Sequence, residues 1–300
     1  MDYNAFKTTL RELVQQTMGP EYLVSVERIP KNNGVFRECM AIRRQKENAA
    51  PAVYVKPYFE RFKKGVTLEE LAGQMIKEYR DSRVEFSPEF IIPKDFEAAA
   101  SCICYRLVNY EKNKEMLKTM PHRQILDLAL IYYCRMEDSC GRPAAVLIHD
   151  SHRLMWNAKE EELFARARDN TCRILPPYMG GMMQVICDTE WDNLFDNRTD
   201  GRWREENMYV LTNKEKCYGA VCFLYPQALE KISSIFESSF YILPSSIHES
   251  IIVPDSGQFF PEDLQLIVQD VNGHYVSEEE ILSDHVYYYD KDRKILKMEK

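Results

Sequence analysis

Apolar residues Phe6, Leu10, Leu13 and Val14 share one face of a helix over residues 3–17, and Gly19-Pro20 ends it. Tyr22, Val24 and Val26 then alternate with polar residues. Lys31-Asn32-Asn33-Gly34 offers the left-handed turn chemistry of a hairpin, and residues 36–43 supply the return strand. A third strand over 52–57 follows the break at Ala49-Ala50-Pro51. Thr67 and Glu70 are spaced as a capping box, opening a helix that buries Leu68, Leu71, Met75, Ile76 and Tyr79. The first unit therefore reads α-β-β-β-α.

Strand and helix patterns recur beyond it without a fixed period. Residues 101–108 read as a strand, 111–119 as a short charged helix and 124–135 as one long apolar strand. A helix competes for that last run, because Ile125, Leu128 and Ala129 also fit a helical stripe. Residues 144–149 are β-rich, and 158–170 form a Glu-led helix burying Leu163, Phe164 and Ala167. Two β-rich runs, 208–212 and 219–225, flank a polar turn at Asn213-Lys214-Glu215-Lys216. A helix starts at Pro226 and buries Leu229, Ile232 and Phe236. The turn Pro244-Ser245-Ser246 leads into a strand-like run over 247–253, and 286–293 look like a terminal hairpin whose edge could pair with another chain. Residues 176–181 carry little pattern. The stretch 188–206, with Trp191, Trp203, Asp192, Asp196 and Asp200, suits a long surface loop. Hairpins joined to helices without regular βαβ alternation predict an α+β fold with mixed or antiparallel sheet. They suggest two closely packed lobes, 1–120 and 121–300, or one continuous domain.

Composition narrows the class. The chain is 45% hydrophobic with 18 Tyr and 14 Phe, which excludes disorder. Formal net charge is -8, unevenly spread: residues 1–120 carry 20 basic against 17 acidic residues, and 121–300 carry 19 against 30. That balance disfavours nucleic acid, which needs a basic surface. The nearest approach to one is Lys56, Arg61, Lys63 and Lys64 interleaved with Tyr58, Phe59 and Phe62, and it reads better as a solvated helix end over core aromatics. Nine cysteines, an odd number scattered through apolar runs with no C-x-x-C pair, point to small core residues in a reducing compartment. The amino terminus lacks the pattern of a signal peptide, and no run reaches the ~18 apolar residues of a spanning helix. A soluble cytoplasmic protein is expected.

Several motifs together resemble an uncharacterised family. They are Met120-Pro121-His122-Arg123, Asp169-Asn170-Thr171, Tyr209-Val210-Leu211-Thr212-Asn213-Lys214, Gly219-Ala220 before Leu224-Tyr225-Pro226, and Leu243-Pro244-Ser245-Ser246-Ile247-His248-Glu249. The family is a domain of unknown function of Gram-positive gut bacteria, and the likeness runs in order over nearly the whole chain. The resemblance implies a cytoplasmic bacterial protein and carries no assigned chemistry.

Candidate chemistry is sparse. His248-Glu249 opens like a zinc protease signature, but Ile252 stands where the second His belongs. Ser245, Ser246, His248 and Glu249 still gather a nucleophile and a base at a turn, and the plainer reading is a set of backbone caps. Asn213 and Lys214 could bind an anion, or simply turn the chain. His149, Asp150 and His152 have the residue types of a divalent metal site if folded together; His274, Asp284 and His285 lie later. Ser283-Asp284-His285 holds the three residue types of a triad in a sequence order that does not give triad geometry. No phosphate loop or dinucleotide fingerprint is present, so no cofactor is expected. The reading that results is a binding or accessory protein recognising a protein partner or a small polar ligand through Asn213, Lys214, Ser245, Ser246, His248 and Glu249. The alternative is a hydrolase or transferase using His248 and Glu249 as acid/base groups beside Ser245 or Ser246, and a third reading is a metal-dependent enzyme built on His149, Asp150 and His152.

Overall fold

The computed structural model describes residues 1–44, 52–85, 92–137, 143–187, 193–196 and 206–299. They fall into two compact units, Met1–Ile91 with Met136–Ala144, and Ile92–Arg135 with Ala145–Lys300. Sequence pattern placed a boundary near residue 120; by this division β4 and α5, described below, belong to the second unit. The fold is α+β, and the strand pairs described are antiparallel.

The first unit follows its pattern closely. It runs α1 (Tyr3–Met18), β1 (Tyr22–Pro30), β2 (Phe36–Arg44), β3 (Ala52–Tyr54), α2 (Val55–Lys63) and α3 (Leu68–Glu85). Asn33 and Gly34 take φ of 60° and 70° in the turn between β1 and β2, the conformation their residue types tolerate best. Phe6, Leu10 and Val14 of α1 join Val24, Met40 and Ile42 of the sheet and Leu71, Met75 and Tyr79 of α3 in one core. Thr67 and Glu70 form the reciprocal capping bonds. The expected third strand is shorter than its pattern: the chain turns helical at Val55, with Tyr58 buried and Phe59 and Phe62 packed against the core. The basic residues of α2 are thus the solvated side of a helix.

The chain continues with α4 (Phe96–Ala100), β4 (Ile103–Asn109), α5 (Lys114–Leu117), β5 (His122–Ile125), β6 (Leu128–Glu137), β7 (Pro143–Leu147), α6 (Asp150–Met155) and α7 (Glu160–Ile174), in the second unit except for the end of β6 and the start of β7. Then come β8 (Pro177–Gly181), α8 (Met182–Ile186), β9 (Tyr209–Asn213), a 3-10 turn over Gly219–Leu224, α9 (Ala228–Phe236), β10 (Phe240–Leu243), β11 (Ser250–Pro254), α10 (Pro261–His274), β12 (Tyr287–Asp290) and β13 (Ile295–Met298). One sheet has the order β4-β6-β5, with β7 also on β6; the larger is β13-β12-β10-β11-β9-β8.

Three departures from the pattern have physical causes. The run 124–135 is a hairpin, because Leu126 takes φ 54° and reverses the chain between β5 and β6. The run 219–225 is helical although its residues favour strand: β9 is already paired with β8 on one edge and β11 on the other, so no edge is left for it. Patternless residues 177–181 form β8, the last strand of the larger sheet, held by antiparallel backbone pairing with β9, which needs no side-chain alternation. The expected loop 188–206 lies outside the described residues except for 193–196 and Glu206.

The helices fasten to these sheets by named bonds. Thr171 Oγ1 of α7 accepts from the Tyr105 amide at 3.0 Å, and Asn170 Nδ2 donates to the Ala100 and Ile103 carbonyls. Leu264 and Val268 of α10 pack on Tyr241, Leu243 and Val253. Among the described residues no helix is long and apolar enough to cross a membrane.

Candidate functional site

The pairing of β11 with β9 brings the two candidate segments side by side. Asn213 ends β9 fully buried, and its side chain organises the loop that follows. Its Oδ1 accepts from the Glu215 and Cys217 amides at 3.0 and 3.3 Å, and its Nδ2 donates to the Cys217 carbonyl at 2.6 Å. Arg135 holds the same loop from β6 through two bonds of 2.7 Å to the Glu215 carboxylate. The side chain of Lys214 is exposed while its amide donates to the Pro176 carbonyl.

The loop delivers Tyr218 in the left-handed region, φ 54° and ψ 28°, onto the second segment. Its ring stacks on that of His248 at 5.6 Å between centroids and 15° between planes. Its amide donates to His248 Nδ1 at 3.3 Å, which leaves Nε2 facing Glu280 Oε1 at 3.6 Å. Close approach explains Gly219: a Cβ there would meet the Asn213 nitrogen at 2.6 Å and the His248 carbonyl at 2.7 Å. Thr212 Oγ1 donates to that same carbonyl at 2.8 Å.

The serines serve the backbone. Ser246 Oγ accepts from the His248 amide at 3.0 Å, and the Ser245 carbonyl accepts from Leu282. Glu249 sits on the same turn, where burial holds its carboxyl above the usual carboxylate range, partly offset by His248 and the Ser246 hydroxyl. Burial likewise raises the Cys217 thiol. Asn213, Ser246, His248 and Glu249 are therefore neighbours, but the hydroxyl does not face the imidazole.

Sequence reasoning passed over the residue that most changes this picture. Arg106, from the centre of β4, lies with its Cζ 4.3 Å over the Tyr218 ring. Its Nε is buried without a hydrogen-bond partner, and among the described residues no carboxylate pairs with it. Tyr133 flanks the same ring at 6.0 Å. A signal was present: Arg106 is the one charge in the apolar strand Ile103–Asn109.

The other candidates resolve into local structure. His149 caps α6; its amide donates to His152 Nδ1 at 3.0 Å, and Asp150 pairs with Arg153 at 3.1 Å. Burial and the His149 charge both lower the His152 pKa. Among the described residues no group of three His, Cys, Asp or Glu side chains is placed to hold a metal ion. Ser283 and His285 both turn to Asp127, at 2.7 and 3.1 Å, and the Tyr287 hydroxyl donates to its other oxygen, whereas Asp284 faces Lys112 and Asn272. His274 pairs with Asp270 on the exposed side of α10. An open hollow of about 820 Å³ between β8 and α9, lined by Pro177, Tyr225, Pro226, Lys231 and Lys294, contains none of the candidate residues.

A family model matches residues 3–291: the chain belongs to the DUF5688 family, a family of unknown function. No curated protein and no solved structure matches it.

Proposed function

For this member of a family without assigned chemistry, we propose non-catalytic binding, in the cytoplasm, of a small polar ligand that carries an anionic group. Arg106 is the anchor, with Tyr218 and His248 as the platform and the Asn213–Cys217 loop as the support. The observation that carries the reading is the Arg106 guanidinium, stacked on an aromatic ring and lacking a carboxylate among the described residues. A buried donor without an acceptor costs about 1–3 kcal/mol, and an anion accepting from it recovers that cost. Stacking on Tyr218 holds the planar donor fork in one orientation beforehand.

Acid–base chemistry by His248, Glu249 and Ser246 draws less support. His248 Nδ1 accepts from the Tyr218 amide and Ser246 Oγ accepts from the His248 amide, so the serine and the imidazole do not form a nucleophile–base pair with each other.

A thermal-shift screen of the full chain against acetate, citrate, phosphate and free amino acids tests the proposal. At least one anion raises the melting temperature, as ligand at 100 times Kd contributes about 2.7 kcal/mol. Arg106→Gln abolishes the shift. A ligand that stabilises wild type and Arg106→Gln equally would refute the assignment, as would a panel with no effect on wild type.

A further inference from the structure

Charge is segregated along the chain. From Ile232 to Asp290 there are eleven aspartates and glutamates and no lysine or arginine. All 39 basic residues lie outside that stretch, with 36 of the 47 acidic ones, so the rest of the chain is slightly basic and this stretch alone makes the formal charge negative. Helix α10 lies in the middle of it. Leu264 and Val268 turn its inner side to the core, while the outer side sets Leu266, 64% exposed, and Ile267 between the exposed Asp263 and Asp270. Spacings of three, four and seven residues bring these four into one stripe. Phe260 and Tyr275, 65% and 80% exposed at the two caps, carry apolar surface past both ends. A helix face meant only for water carries polar residues where Leu266 and Ile267 stand. The acid is not answered from within either. Among the described residues Glu262 and Asp263 meet no lysine or arginine, and Asp270 has only His274, one turn on.

We infer that the outer face of α10 docks a basic amphipathic helix of a protein partner, with aliphatic side chains on Leu266 and Ile267 and lysines or arginines against Glu262, Asp263 and Asp270. The inference does not rest on the Arg106 site. A helix is the matching shape because the stripe repeats at helical spacing, so side chains of a second helix fit between its rows. Charge then chooses among occupants. A second copy would set Asp263 and Asp270 against the same two residues, and like charges facing each other oppose that pairing. Nucleic acid and anionic lipid meet the same repulsion from the whole 232–290 stretch. A cationic helix covers the apolar pair and answers the acidic rim at once. The rim also steers its approach, since complementary charge raises the rate of encounter.

Fluorescence anisotropy of labelled model peptides titrated with the full chain reads both charge and spacing. The probes are three peptides of about eighteen residues, or about five helical turns. One has leucine and lysine at amphipathic-helix spacing, one has the same composition in strict alternation, and one has leucine and glutamate at helix spacing. The first is expected to bind at least tenfold tighter than either other, and to weaken as salt rises. Leu266→Ser combined with Ile267→Ser lowers that affinity at least tenfold. Asp263→Asn combined with Asp270→Asn also lowers it and flattens the salt dependence. All four positions are exposed, and far-ultraviolet circular dichroism confirms that both variants fold. An alternating peptide that binds equally well, or affinity indifferent to either double variant, would reduce the contact to general charge attraction and overturn the inference. Failure of every peptide to bind would overturn it too. Sedimentation and vesicle flotation of the free chain cover the other occupants. A dimer that the Leu266→Ser, Ile267→Ser change dissolves would give the face to a second copy, and flotation with anionic phospholipid vesicles lost in the same variant would give it to a membrane; either result refutes the basic helix.

Discussion

Tyr218 shows what the candidate site demands of single residues. Its left-handed backbone costs a tyrosine about 1 kcal/mol or more, yet only that geometry sets the ring between Arg106 and His248. Glu249 illustrates the electrostatic counterpart. Burial raises its pKa above the unfolded value, so the folded chain holds that proton more tightly than the unfolded chain does. Stability from this group is therefore fully present below the unfolded pKa. It declines as pH rises toward the raised folded value, because the unfolded chain ionises first. Glu249→Gln removes the ionisation. Urea midpoints of variant and wild type should coincide near about pH 3.5, below the ordinary glutamate pKa, and the variant should be the more stable at neutral pH. A variant less stable than wild type at neutral pH would contradict the assigned direction.

At the scale of elements, Asp127 ties the β5–β6 turn to the start of β12. Its carboxylate accepts from Ser283 at 2.7 Å and from Tyr287, both buried, and lies 3.1 Å from His285 Nδ1. Asp127 sits beside Leu126, so the left-handed turn residue and the carboxylate work as one device. Burial and the Asp127 charge hold the Tyr287 phenol well above its ordinary pKa, which keeps it a donor. Asp127→Ala strands two buried hydroxyls and should cost about 3–5 kcal/mol in urea unfolding. Asp127→Asn, which retains an acceptor, should cost less. Amide exchange in β12 should rise in the alanine variant. A loss below about 1 kcal/mol would show the cluster to be a surface contact of no consequence.

At the scale of the molecule, a net charge of -8 and an isoelectric point near 5.4 place the protein well from neutrality at physiological pH. Charge repulsion then opposes association, while β13, the last strand of its sheet among the described residues, exposes Ile295 and Met298. Light scattering should peak near pH 5.4 and fall toward pH 8. Scattering that increases steadily with pH would show that association is governed by something other than net charge.

The sequence alone determined the elements whose signals are local. The α1 stripe, the Asn33-Gly34 turn, the Thr67–Glu70 capping box and the terminal hairpin each depend on residues within a few positions of one another, and each formed as read. The family, too, was legible in ordered motifs, of which Asn170 and Thr171 fasten a helix to a strand. Tertiary structure decided the rest. Whether 219–225 extends or coils depends on an edge of β9 that β8 and β11 occupy, and those partners lie tens of residues away. The neighbourhood of Asn213 and His248 was anticipated, but Arg106 reaches it from more than a hundred positions earlier, through the packing of β4 against the 3-10 turn. No local pattern encodes which unpaired charge will meet which ring, because that contact exists only after the sheets are assembled.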